Sequence, residues 1–180
     1  MPGTFNGTTL TISATPVDGA LIPDKSATNV AGIAIVGSDM YCVKTTGLKT
    51  TLLKTTDYMA TKATAVKKDL NWFALGLTKI GNYLYMLAED HKGYGGSTTI
   101  VKLDTKGNQL GTYNIKNICP NGALGITAAD GTNEKFIIMH YADKSNAGTL
   151  AFSVVDWKAA EAASTFTVTN SGFGYTTRLQ

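Results

Sequence analysis

The stretch Gly76-Leu77-Thr78-Lys79-Ile80-Gly81-Asn82-Tyr83-Leu84-Tyr85-Met86-Leu87-Ala88 decides the fold. Two short apolar runs, rich in strand-favouring side chains, flank the dipeptide Gly81-Asn82. That dipeptide suits a tight hairpin between antiparallel strands. Thr98 to Leu103 then forms a third strand ending at Asp104, and Gln109 to Ile115 a fourth, after the turn Gly107-Asn108.

The same order occurs on either side. Upstream, Gly32-Ile33-Ala34-Ile35-Val36, the turn Gly37-Ser38-Asp39 and Met40 to Lys44 lead to Thr50–Thr56 and Asp57, with Ala60 to Val66 as a fourth strand. Downstream, Gly125 to Ala129, a loop at Asp130-Gly131, Lys135 to Tyr141 and Thr149 to Val155 lead to Asp156, with Phe166 to Thr169 beyond. Gly32, Gly76 and Gly125 lie 44 and 49 residues apart, and Gly174 follows 49 later. One segment reads otherwise: Asp156 to Ala163 is rich in alanine and glutamate and favours a short helix.

Four strands per repeat at this period predict an all-β, propeller-like array of about four small antiparallel sheets, with a β-sandwich as the alternative. The expected blades are 32–67, 76–116, 125–169 and a fourth from 174–180 with 7–15, all in one domain over 1–180. A small sheet cannot bury both faces alone, so neighbours must stack. The pattern resembles β-propeller repeats in general, from about Ala31 onward. It lacks the regular Trp-Asp endings of one propeller class and the paired glycines of the kelch class, so no family's functional residues transfer.

Composition narrows the function. The 180 residues are 43% hydrophobic and 16% charged, with a net charge of +3. Arg178 is the only arginine, and no clustered basic face is apparent, which argues against nucleic acid as a partner. No apolar run is long enough to span a membrane as a helix. Met1 to Phe5 shows no basic start or apolar core, so no signal peptide is expected, and nothing selects a secreted or a cytoplasmic location. Cys42 and Cys119 have no metal or redox spacing and read as buried thiols.

Chemistry-bearing residues are sparse. Glu89-Asp90-His91 opens a glycine-rich loop carrying Tyr94 between glycines, a placement suited to stacking on a sugar or gripping a protein. Asp143 occupies the position of Asp90 in the next repeat, and Trp72 stands where the chain enters the second one. Trp72, Glu89, Asp90, His91, Tyr94 and Asp143 are therefore the candidate ligand-binding residues. His140 reads as a packed strand histidine, and the closing aspartates as turn caps. No nucleophile elbow, zinc-protease helix motif or phosphate loop occurs, so no catalytic residue, metal or cofactor is expected. The reading favours a non-enzymatic ligand- or protein-binding β-repeat module, with carbohydrate as one ligand class. A structural or assembly subunit, a half-propeller completed by dimerisation, is the alternative, and a hydrolase or lyase ranks below both.

Overall fold

The computed structural model describes residues 3–5, 10–12, 29–56, 63–90, 97–143, 149–157 and 162–169, and all its regular elements there are strands. β1 (Gly3–Phe5) and β2 (Leu10–Ile12) form a two-stranded antiparallel ribbon. Three four-stranded sheets follow. The first holds β3 (Asn29–Val36), β4 (Asp39–Thr46), β5 (Lys49–Thr55) and β6 (Thr64–Leu70). The second holds β7 (Phe73–Ile80), β8 (Tyr83–Glu89), β9 (Thr98–Leu103) and β10 (Gln109–Asn114). The third holds β11 (Ala123–Ala128), β12 (Lys135–Tyr141), β13 (Thr149–Asp156) and β14 (Ala162–Thr169). In each, chain neighbours pair antiparallel in sequence order.

Local sequence explains the hairpins. Gly37 and Gly81 stand in two-residue turns with φ of 63° and 56°, where a tight hairpin requires a left-handed backbone. The third sheet uses Asp130 for its first connection. Its carboxylate accepts the backbone N–H groups of Thr132 and Asn133 at 2.8 and 2.6 Å, which holds its pKa far below the usual carboxylate range. Asp104 caps the β9–β10 turn in the same manner, through Lys106 and Asn108.

The first strand of every sheet carries a bulge at one shared position. The register slips between Ala31 and Ile33, between Ala74 and Gly76, and between Ala123 and Gly125. Ala31, Ala74 and Ala123 are therefore equivalent. Gly32 sits inside its bulge, whereas Gly76 and Gly125 sit one place after theirs. The residue-level repeat is Ala74-Leu75-Gly76-Leu77-Thr78 against Ala123-Leu124-Gly125-Ile126-Thr127, sharper than glycine spacing alone.

These glycines lie where first strands meet. A Cβ on Gly32 would stand 2.1 Å from the Leu77 amide nitrogen, and one on Gly76 would stand 3.1 Å from Ile126 Cγ2 and 3.5 Å from its nitrogen. β3 thus packs on β7, and β7 on β11. β8 is buried on both faces, which explains its nearly unbroken apolar run. Alternation sends Leu84, Met86 and Ala88 into a core with Tyr41, Val43 and Leu52 of the first sheet. It sends Tyr85 and Leu87 into a core with Phe136, Ile138 and Val155 of the third. Each fully buried Leu, Ile, Val, Met or Phe among them stabilises by about 1.5–3 kcal/mol.

Two expectations change. The outer strand of the first sheet is Thr64–Leu70 rather than Ala60 to Val66. The helix over Asp156 to Ala163 is absent where that span is described: Asp156 ends β13, and Ala162 and Ala163 begin β14, which pairs with β13. The β13 edge offers a ladder of backbone hydrogen bonds that outweighs the helix preference of alanine. The fourth repeat expected at 174–180 with 7–15 falls largely outside the described residues. Cys42 and Cys119 are free, buried thiols. Burial pushes them up to about 11 and about 12, so they stay protonated and unreactive.

Candidate functional site

The sequence candidates gather only in part. Glu89 ends β8 and is buried, and its Oε1 lies 3.7 Å from where a Cβ on Gly122 would be. The carboxylate therefore faces the turn that precedes the third sheet, next to Tyr141, whose N–H donates to the Gly122 carbonyl at 3.1 Å. The Asp90 N–H donates to the Ser97 carbonyl at 3.3 Å. Asp143 is exposed just beyond β12, at the corresponding end of the third sheet. Trp72 is directed elsewhere: its indole N–H donates to Gln109 Oε1 at 3.1 Å, and its ring packs on the core between the first and second sheets. His91 and Tyr94 lie outside the described residues. His140 is buried, with Nε2 2.9 Å from Ser153 Oγ and Nδ1 3.2 Å from the Tyr141 carbonyl. Burial lowers its pKa, so it is a satisfied core imidazole.

A different constellation occupies the opposite end of β8, at the junction of the second and third sheets. An open cleft of about 790 Å³ is lined by Asn82, Tyr83, Thr105, Asn133, Glu134 and Asp156, among others. At its base the Glu134 carboxylate accepts hydrogen bonds from the Tyr85 hydroxyl and from the Lys102 ammonium. Lys102 Nζ also lies 4.4 Å from the centre of the Tyr83 ring and 5.5 Å from that of Tyr85, a cation–π arrangement. The Tyr85 ring is fully buried between Phe136, at 4.8 Å, and Trp157, at 5.8 Å. Burial, reinforced by the Glu134 carboxylate, raises the Tyr85 pKa strongly, so the phenol keeps its proton. Tyr83 remains 44% exposed.

The same arrangement occurs in the first sheet. Tyr41 pairs across the ladder with Lys54 just as Tyr85 pairs with Lys102. Each tyrosine is the third residue of its strand and faces the next sheet. Asp39, first in β4, neutralises Lys54 at 3.1 Å. The first residue of β8 is Tyr83, so Lys102 takes its carboxylate from Glu134, in the connection between β11 and β12 of the third sheet. Burial chiefly, with Asp39 adding to it, raises the Tyr41 pKa, while its hydroxyl also bonds Thr105 of the second sheet. Sequence reading missed these residues because Tyr, Lys and acid come from separate strands. The visible signal was the shared position of Tyr41 and Tyr85, each three residues beyond a two-residue turn.

Among the described residues no three His, Cys, Asp or Glu side chains are placed to hold a metal ion, and no helix is long and apolar enough to cross a membrane. No family model and no curated protein matches the sequence. Among solved structures the fold is similar to Kuenenia stuttgartiensis hydrazine synthase, at 12% identity and a TM-score of 0.53, over 77% of this chain and 37% of that one. A second similarity is to BamB from Moraxella catarrhalis, at 18% identity and a TM-score of 0.46, over 81% and 39%. At 12% identity the first likeness shows the all-β fold alone. This chain spans less than two-fifths of the length of either protein.

Proposed function

We propose that the chain is a non-catalytic binding module built of propeller-type blades, and that its ligand site is the cleft between the second and third sheets. The observation that carries this reading is Tyr83: a largely exposed aromatic ring at the mouth of a cleft whose base is a closed Tyr85–Glu134–Lys102 network. The blade arrangement is supported by the contacts of β3 with β7 and of β7 with β11, which set first strands beside first strands.

The lining selects the ligand class. Lys102 is committed to Glu134, and the Asp104 oxygens are taken up by their own turn. Glu134 and Asp156 disfavour an anion, while Asn82, Asn133 and Thr105 offer neutral donors and acceptors. An aromatic face with amides and hydroxyls around it suits a neutral, polyhydroxylated ligand, a saccharide. A glycan array followed by titration calorimetry tests this. Tyr83→Ala, at a partly exposed position, is expected to weaken binding of the retained glycan by about tenfold or more, equivalent to about 1.4 kcal/mol, while lowering stability by no more than about 1 kcal/mol through the lost contact with Lys102. Absence of any glycan hit, or an unchanged affinity in the variant, would count against the assignment.

One observation favours the assembly reading as a second possibility. Ile33 and Ile35, 54% and 40% exposed, stand on the face of the first sheet turned away from the second. A solution mass of twice the monomer, lost in Ile33→Lys, would favour a homodimer formed through that face.

A further inference from the structure

The packing of first strands follows a rule. The glycine of one strand leaves room for the backbone of the residue that follows the glycine position in the next. Gly32 receives Leu77, and Gly76 receives Ile126. Two residues further on, the Thr78 hydroxyl accepts the Ala128 N–H at 3.3 Å. The second junction thus pairs position 76 with 126 and position 78 with 128. The residue after the glycine is apolar in both cases and fills the core between the sheets, Leu77 in one and Ile126 in the other.

β11 carries the same motif. Among the described strands it packs against β7, β8 and β12, while Gly125 repeats the position of Gly76 and Thr127, exposed, repeats that of Thr78. The third sheet also has an apolar face turned from the second. Phe136 and Ile138 point into the shared core, so alternation directs Ile137 and Met139 the other way, beside their cross-strand partners Val154 and Phe152.

The sequence holds one further copy of the motif. Gly172-Phe173-Gly174-Tyr175-Thr176 aligns with Ala74-Leu75-Gly76-Leu77-Thr78 and Ala123-Leu124-Gly125-Ile126-Thr127: it shares the central glycine and the threonine, has a small residue at the first position and aromatics at the two apolar ones, and the central glycines are 49 residues apart each time. We propose that the far side of β11 is a docking surface for this segment of the same chain, which lies outside the described residues. Tyr175 seats its backbone on Gly125, and Thr177 lies opposite Thr127. The ring of Tyr175 takes the place that Leu77 and Ile126 take at the first two junctions. A second copy of the chain is the rival occupant. The constant spacing and the motif match favour the chain's own segment, which supplies the apolar residue where the rule requires one. The proposal rests on the propeller-type reading of the strand arrangement.

Paired cysteines test it in the full chain. Thr127→Cys with Thr177→Cys probes the proposed contact, and Thr78→Cys with Ala128→Cys probes the equivalent contact between described sheets. After mild oxidation both double variants are expected to form an intramolecular disulfide, read as a monomer with altered non-reducing mobility and no free engineered thiol. Closure of the 78/128 pair with the 127/177 pair left open would overturn the proposal and leave the sheet arrangement standing. Linkage of the 127/177 pair only between chains would also overturn it, in favour of a second copy. If neither pair closes, the blade arrangement fails together with the proposal. As a check independent of cross-linking, Gly125→Ala and Gly76→Ala are both expected to lower the melting temperature. An unchanged melting temperature would mean that no backbone approaches Gly125.

Discussion

Gly32→Ala is expected to destabilise the protein by about 2–5 kcal/mol. Two costs combine. Gly32 has φ of +68°, and an L-residue in the left-handed region costs about 1–2 kcal/mol. The added Cβ would also stand 2.1 Å from the Leu77 nitrogen and 2.8 Å from its Cα. Both are backbone atoms of a neighbouring strand, so the clash is relieved only by moving β3 away from β7, at a further cost of about 1–3 kcal/mol. Thermal unfolding followed by circular dichroism would read this as a fall of about 10 °C in melting temperature. Gly47→Ala is the control. Gly47 has a similar φ of 60° with no atom near its Cβ position, so it isolates the backbone cost alone.

Tyr85→Ala is expected to cost about 3–5 kcal/mol, the range for truncating a large buried aromatic. Tyr85 is fully buried and fills the junction between the second and third sheets beside Phe136 and Trp157. Tyr85→Phe keeps the ring and removes only the hydroxyl. Its expected cost is about 1–2 kcal/mol, because Glu134 loses one donor and retains Lys102. Urea unfolding of the two variants separates packing from hydrogen bonding. Equal losses in both would mean that the ring contributes nothing beyond its hydroxyl, contrary to the packing described here.

The fold was legible where local chemistry and tertiary structure agree. Gly81-Asn82 between two apolar runs specified a hairpin, and the apolar Tyr83 to Ala88 specified its second strand, though not that both its faces are buried. Legibility ended where the determinant lies in another sheet. Whether the repeat glycine falls inside the bulge, as Gly32 does, or after it, as Gly76 and Gly125 do, depends on the backbone approaching from the next strand. Ala162 and Ala163 read as helix because their neighbours favour helix, yet the open edge of β13 recruits them into a ladder. The cleft was hidden for the same reason. Lys102 and Glu134 are 32 residues apart and Tyr85 and Glu134 are 49 apart, with no motif joining them, and only stacking of two sheets brings them together. The candidates chosen from sequence, Glu89 and Asp90, were conspicuous because they are adjacent in the chain, and adjacency is a poor guide to a site formed between sheets.

Three antiparallel sheets stack through their first strands, glycine against backbone. Through-space proton NMR tests this stacking most directly. Cross-peaks are expected from the Gly32 α-protons to the Leu77 amide and from the Gly76 α-protons to the Ile126 amide. Absence of both, in a protein whose strands within each sheet show their expected cross-strand peaks, would contradict it.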